Sequence, residues 1–169
     1  IEADLRNCLE SGVDVVRRRT GGGAVYHDSS GEITYSVIGK EGIFPKDILS
    51  SYRQICGWIV DSLMLLGISS EFKPINDIVV NGKKISGNAQ TRRGGVLLQH
   101  GTILYSVDVD RMFSLLKVPD EKIKDKLIST VKERVTSVSL QRNISWQQTY
   151  EALVAGFTAR KDFYLGELS

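Results

Sequence analysis

The sequence predicts an α+β fold in which a mixed or antiparallel sheet is flanked by helices. Apolar and polar residues alternate over 32–38 and again over 76–107, where glycine-containing turns separate short runs, as in a β meander. Residues 46–66 instead carry apolar side chains at steps of three and four, and helical patterns return beyond residue 110. Because strands and helices are grouped along the chain, the pattern favours α+β over a parallel βαβ fold.

Each element before the meander has a local signal. Residues 1–12 read as a helix ended by a glycine, and residues 13–17 read as a short strand. A second strand is predicted over 32–38, after a Ser-Ser-Gly turn. The longest helix, over 46–66, follows a proline and is stopped by Gly67.

The meander and the helices after it follow in the same way. Strands are predicted over 88–92 and 96–107, on either side of an Arg-Gly-Gly turn. Helices are predicted over 110–116 and 120–127, and Ser145-Trp-Gln-Gln is a capping-box pattern that begins another.

The composition is that of an ordinary globular protein and argues against several classes. The 169 residues are 41% hydrophobic and 25% charged, so we expect one domain over 1–169. A net charge of +2 gives no support for nucleic-acid binding, and no apolar run has membrane-spanning length. Two cysteines and two histidines lack disulfide or zinc spacing, and no signal-peptide pattern opens the chain. We therefore expect a cytoplasmic protein with neither nucleic acid nor membrane as partner.

A run of three arginines followed by three glycines is the most unusual stretch, Arg17-Arg-Arg-Thr-Gly-Gly-Gly23. Glycine adopts positive φ and lacks a Cβ, so a ligand can lie directly on the backbone, and successive N–H groups form a nest for anions. Arginines add charge and bidentate donors suited to phosphate. The stretch indicates a phosphate-bearing ligand over Gly21–Gly23, although a tight hairpin with exposed arginines explains it as well. Its spacing is neither that of a Walker loop nor that of a Rossmann fingerprint.

The turn Asn81-Gly82 between two apolar runs predicts a type I′ hairpin with a fixed register. The predicted facing pairs are Val80 with Lys83, Val79 with Lys84, and Ile78 with Ile85. This register places the carboxylate of Asp77 and the amine of Lys84 on one face. Such a pair is either a surface ion pair or part of a site for a phosphate.

A histidine and a glycine interrupt the last strand, His100-Gly101. A glycine within a strand indicates a bulge or a close approach by another group. A single histidine in this place is more commonly a hydrogen-bonded core residue than a catalyst.

Four motifs in order resemble the lipoate–protein ligase A family. They are Arg17-Arg-x-Thr-Gly-Gly-Gly-Ala-Val-Tyr-His-Asp28, Asn76-Asp77, Gly82-Lys-Lys-Ile-Ser-Gly87 and His100-Gly-Thr102. The resemblance covers nearly the whole chain and implies a fold shared with biotin protein ligases and octanoyl transferases. It implies that lipoate and ATP with Mg²⁺ form lipoyl-AMP. A lysine of a lipoyl carrier domain of a 2-oxoacid dehydrogenase complex, or of the glycine-cleavage H protein, then takes up the lipoyl group.

The resemblance also assigns site residues by motif position. Lys84 is the expected catalytic residue, and Asn76 and Asp77 are the expected magnesium ligands. The residues expected to bind the nucleotide and the acyl group are Arg18, Gly21, Gly22, Gly23, Ala24, Val25, His27, Asp28, Gly87, His100 and Gly101.

Family members usually carry an N-terminal segment, and many carry an accessory C-terminal domain or a partner chain that supports adenylation. We expect residues 1–169 to be the catalytic domain without these parts. We therefore expect transfer from supplied lipoyl-AMP to be faster than adenylation of lipoate.

Two other functions are considered beside the ligase. Octanoyl or lipoyl transferases of the same superfamily use a cysteine nucleophile, and neither Cys8 nor Cys56 falls where that cysteine lies. A non-catalytic binder of an acyl adenylate or carrier domain is disfavoured by the retention of Lys84 and the glycine run. A biotin ligase is disfavoured because its signature loop differs.

Overall fold

A five-stranded antiparallel sheet organises the fold. The structure is a computed structural model and describes residues 2–117 and 123–159. The strands of this sheet are β2 (Glu32–Lys40), β3 (Glu71–Lys73), β4 (Asp77–Val80), β5 (Lys83–Arg93) and β6 (Val96–Leu104), and they lie in the order β2-β6-β5-β4-β3. A two-stranded ribbon joins β1 (Glu2–Ala3) to β7 (Leu116–Lys117). The predicted α+β class is confirmed, in its antiparallel form.

Six described helices accompany the sheet: α1 (Leu5–Glu10), α2 (Ile48–Leu65), α3 (Val109–Leu115), α4 (Lys124–Arg134), α5 (Val138–Gln141) and α6 (Trp146–Thr158). One face of the sheet packs against α2 and α6. The main core joins residues of both helices to apolar residues from four strands, and Ile59, Leu63, Ile78, Ile85 and Ile103 are fully buried in it. This burial, at about 25 cal/mol per Å² of apolar surface, is the main stabilising term.

Both packed helices begin at a side-chain cap, and the sequence indicated the cap of α6 and the glycine that ends α2. The Asp47 carboxylate accepts a hydrogen bond from the Ser50 N–H at 2.7 Å, and Gly67 follows the end of α2 with a φ of 70°. A reciprocal capping box between Ser145 and Gln148 starts α6. The predicted helix over 120–127 begins outside the described residues, and its described part belongs to α4.

The predicted strand over 13–17 is wrong. This segment belongs to an irregular stretch over 11–31 that crosses from α1 to β2. Val15 and Val16 are 53% and 86% exposed. Alternation alone does not make a strand when no neighbouring strand takes up its backbone hydrogen bonds.

The Asn81-Gly82 hairpin is confirmed, but its predicted register holds only near the turn. Asn81 and Gly82 have φ of 49° and 77°, as a type I′ turn requires. The pairs next to the turn are as predicted. Ile78, however, faces Ser86 rather than Ile85, because the register shifts between Ile78 and Val79. The shift lets Ile85 and Ser86 of β5 both be fully buried, and it sets Asp77 opposite Gly87.

Candidate active site

The face of the sheet turned away from α2 and α6 carries four of the expected site residues, Asp77, Lys84, Gly87 and His100. Alternate residues of β6 fill the core, so His100 and Thr102 point to the opposite face, which we call the open face. Strand pairing puts Asp77, Gly87 and Thr102 in one row across it. His100 and Ala89 form the next row. Residues far apart in sequence therefore converge on this face.

Lys84 and Asp77 form an ion pair at the edge of the open face. The Lys84 Nζ lies 2.6 Å from the Asp77 Oδ1, and the two side chains are 41% and 33% exposed. A Cβ added at Gly87 would lie 2.8 Å from the Lys84 Nζ, so the lysine side chain passes directly over this glycine. The Lys84 carbonyl accepts from the Thr136 N–H at 2.8 Å. The predicted convergence of Asp77 and Lys84 is thus confirmed, although the register beyond them differs.

Arg18 organises the glycine run. Its Nη2 donates to the carbonyls of Gly21 at 3.2 Å and Gly23 at 2.7 Å. Gly22 has a φ of 118°, and a Cβ there would lie 2.6 Å from the same nitrogen. The glycines therefore fold around a guanidinium, which places a fixed positive charge within the loop. Ala24 and Val25 continue the loop, and Val25 is 54% exposed.

Thr20 attaches this loop to the sheet. Its Oγ1 lies 2.6 Å from the His100 Nε2, and the threonine is 7% exposed. Burial, and then the positive charges of Arg18 and His27, lower the pKa of His100. Sequence reasoning missed this contact. The one available signal was a hydroxyl residue between the arginines and the glycines.

His27 and Asp28 both bond within the protein. The His27 Nδ1 binds the Glu32 Oε1, and this hydrogen bond is the main cause of the raised pKa of His27. Glu32 is 7% exposed and was not anticipated from the sequence. The Ser30 hydroxyl donates to the Asp28 carboxylate at 2.7 Å, and the Ser30 and Gly31 N–H groups donate to it at 2.9 and 3.1 Å. These bonds lower the pKa of Asp28.

Two expected site residues contact Asn88 of β5. A Cβ added at Gly101 would lie 2.2 Å from the Asn88 Oδ1, so the close approach predicted at this glycine is made by a neighbouring strand. The Asn76 side-chain amide donates to the Asn88 carbonyl. Among the described residues, no group of three or more His, Cys, Asp or Glu is arranged to hold a metal ion.

A sequence model of the lipoyl protein ligase A/B catalytic domain matches residues 1–158. The chain belongs to this family. The four motifs of the sequence and the site around Lys84 lie within the matched range, so the resemblance read from the motifs is confirmed.

Members of the lipoyl ligase family and their structures resemble this chain closely. Octanoyltransferase LipM of Brevibacillus brevis is 35% identical over 94% of this chain and 66% of its own length. A chain from the structure of a bi-partite lipoate protein ligase and its E2 lipoyl domain from Thermoplasma acidophilum is 36% identical, with a TM-score of 0.84. That match covers 93% of this chain and 61% of the other. This chain therefore spans less than two thirds of these proteins.

Two further structures extend the comparison. Lipoate-protein ligase A bound with ATP is 32% identical, with a TM-score of 0.75, over 93% of this chain and 62% of that one. Biotin protein ligase from Aquifex aeolicus, at 17% identity and a TM-score of 0.54, covers 76% of this chain and 52% of its own and shares the fold. The predicted biotin/lipoate ligase-like fold is confirmed. In the part of this lipoyl ligase family member that the structure describes, no helix is long and apolar enough to cross a membrane.

The two histidines are expected to titrate on opposite sides of their ordinary pKa of 6.5. Glu32 stabilises protonated His27, whereas burial disfavours protonated His100. Because the chain has only these two histidines, a two-resonance NMR titration measures both, with His27→Gln and His100→Gln providing the assignment. Midpoints in the reverse order would contradict the described contacts.

The two histidine pKa shifts affect the stability of the fold in opposite pH ranges. The folded-state pKa of His27 is raised, so its pair with Glu32 stabilises fully below 6.5 and is lost as pH rises through the folded value. The folded-state pKa of His100 is lowered, so stability is lost as pH falls from 6.5 through that value.

Proposed function

We propose that this chain carries the catalytic site of a lipoate–protein ligase. In the first step a carboxylate oxygen of lipoate bonds to the α-phosphorus of ATP, and the bond to pyrophosphate breaks. In the second step the lysine Nζ of a carrier domain bonds to the acyl carbon of lipoyl-AMP. AMP leaves, and the attacking amine gives up a proton.

Two cations, on segments that both contact the open face, carry this proposal. Lys84 comes from β5, and Arg18 comes from the irregular segment held to β6 through Thr20 and His100. Both reaction steps place negative charge on phosphate and acyl oxygens, which fixed cations stabilise without reorganisation. The second step then requires mainly that the amine be positioned against an activated carbonyl.

The residues expected to bind magnesium fit a metal that is shared with the nucleotide. Asp77 offers a partly exposed carboxylate, and Asn76 keeps its amide oxygen, since its nitrogen donates to Asn88. Magnesium usually binds one or two protein oxygens together with phosphate oxygens and water. When bound, it would neutralise charge on the phosphates of ATP.

The choice of ligase over octanoyltransferase rests on the cysteines. Similarity to LipM makes the transferase the second candidate. The resemblance to this superfamily implies that such a transferase uses a cysteine nucleophile. Cys8 is 4% exposed and lies 3.7 Å from the Leu115 carbonyl. Cys56 is fully buried in α2, and burial raises the pKa of its thiol to about 12. A buried thiol of this kind is a poor nucleophile at neutral pH.

Cys8→Ser and Cys56→Ser are each expected to keep the rate of acyl transfer from lipoyl-AMP. The mixed anhydride is already activated, so no enzyme thioester is required. Transfer rates, together with intact-protein mass spectrometry of the enzyme after mixing, test this. An acyl group trapped on either cysteine, with loss of transfer in the corresponding variant, would favour the transferase.

The partner proposed is a lipoyl carrier domain, of a 2-oxoacid dehydrogenase complex or of the glycine-cleavage H protein, in the cytoplasm. The bi-partite Thermoplasma ligase, described with its E2 lipoyl domain, supports both this partner and a second polypeptide for adenylation. The stretch over 122–134 carries four lysines and one arginine, but we do not favour it as the docking surface, because one of these cations is already paired. Lys132 bonds Asp110 at 2.7 Å, and Lys122 lies outside the described residues.

A further inference from the structure

A line of buried polar side chains crosses the sheet on the face packed against α2. The Gln90 side-chain amide donates to the Gln99 carbonyl oxygen at 2.9 Å, and the Gln99 amide donates to the Tyr35 hydroxyl at 2.8 Å. The Tyr35 hydroxyl donates in turn to the Asn88 Oδ1 at 2.6 Å. Gln99 and Asn88 are 0% and 4% exposed. Buried polar groups are costly to leave unpaired, so a line of satisfied ones holds its members in one geometry.

The line ends at the residue that precedes Asp77. The Asn88 Nδ2 and backbone N–H both donate to the Asn76 carbonyl, at 2.8 and 3.0 Å. The Asn76 amide donates back to the Asn88 carbonyl. These bonds fix the point at which the chain enters β4. Asp77 follows directly, and its carboxylate holds Lys84.

Two glycines make room for this arrangement. Asn88 occupies the space that a side chain at position 101 would fill, since a Cβ there would lie 2.2 Å from its Oδ1. Gly87, the neighbour of Asn88, lies beneath the Lys84 side chain on the other face. Asn88 is therefore connected to the Asp77–Lys84 pair through Asn76 and Gly87, although its own side chain lies on the opposite face of the sheet.

We propose that Asn88, held by the Tyr35 hydroxyl, is a positioning residue that sets the Asp77–Lys84 pair for reaction. The proposal rests on the proposed function of Lys84. It assigns a role in the reaction to two side chains on the far face of the sheet. A purely structural role for the same bonds predicts lower stability but an unchanged turnover number in the folded protein.

Asn88→Ala separates these roles when turnover is measured on folded protein. It removes the Nδ2 donor to the Asn76 carbonyl and the acceptor for the Tyr35 hydroxyl, but it leaves the side chains of Asp77 and Lys84 in place. A structural role lowers only the melting temperature, whereas a positioning role also lowers kcat.

The experiment measures transfer from lipoyl-AMP to an apo lipoyl domain by the full chain, below the melting temperature of each variant. Asn88→Ala should lower kcat about tenfold, with little change in the KM for the lipoyl domain. Tyr35→Phe should lower kcat about threefold or more, because it releases Asn88, while the KM for the lipoyl domain stays the same. Ser62→Ala is the control, since it removes a buried hydroxyl that bonds the Trp58 carbonyl of its own helix.

Ser62→Ala should lower the melting temperature and leave kcat unchanged. An unchanged kcat in Asn88→Ala or in Tyr35→Phe would overturn the proposal. Lys84→Ala in the same assay keeps the two claims separate. If Lys84→Ala retains activity, the proposed function fails. If Lys84→Ala is inactive while the Asn88 variant and Tyr35→Phe both turn over normally, only the positioning role fails.

Discussion

A Lys84→Ala protein is expected to remain folded and to lose its acyl-transfer activity by on the order of a hundredfold or more. The lysine side chain is 41% exposed, and its ion pair with Asp77 is partly solvated, so its removal costs little stability. In the proposed function, its ammonium is one of the two cations that stabilise the acyl phosphate. Steady-state kinetics with lipoyl-AMP and an apo lipoyl domain measure the loss.

Lys83→Ala is the matched control. Lys83 is the adjacent lysine of the same hairpin, is exposed, and pairs with Val80 beside the turn. It should keep the normal rate, since its side chain points away from the pair formed by Lys84. Equal activity of the two variants, both folded, would remove Lys84 from the reaction.

Gly22→Val is expected to weaken binding of a non-hydrolysable lipoyl-AMP mimic by about tenfold or more, since strained backbone costs about 1–3 kcal/mol. A φ of 118° is unfavourable for valine, and its Cβ would meet the Arg18 guanidinium. The loop would have to open, and Arg18 would lose its bonds to the Gly21 and Gly23 carbonyls. Isothermal titration calorimetry provides the measurement.

Gly42→Ala serves as the control. Gly42 lies outside the proposed site, between β2 and α2, has no positive φ, and an added Cβ there would find nothing within 4 Å. It should therefore bind the mimic normally. Normal affinity in Gly22→Val would instead indicate that the glycine run is a simple turn.

Local turn chemistry made the Asp77–Lys84 pair predictable. Asn81-Gly82 specifies the turn and the two pairs next to it, and Asp77 remains on the face of Lys84. The register at Ile78 was not predictable in this way. It depends on a bulge that buries both Ile85 and Ser86, and this choice is made by the core.

Contacts between segments distant in sequence account for the other differences between the predicted and the observed structure. The glycine at position 101 predicted a close approach, but a sequence does not say that Asn88 of the neighbouring strand makes it. Glu32 at a strand start reads as a surface residue until the loop brings His27 onto it. Alternation over 13–17 predicted a strand because pattern alone carries no information about a pairing partner.

The most direct test of the central claim compares acyl donors for one acceptor. An apo lipoyl domain is incubated with the chain and either lipoyl-AMP, lipoate with ATP and Mg²⁺, or an octanoyl thioester of a carrier protein, and its mass is followed. The account predicts that lipoyl-AMP modifies the lipoyl domain fastest, that lipoate is used only with ATP, and that the thioester gives no transfer. Octanoylation from the thioester, or no modification from lipoyl-AMP, would contradict the assignment as a lipoate–protein ligase.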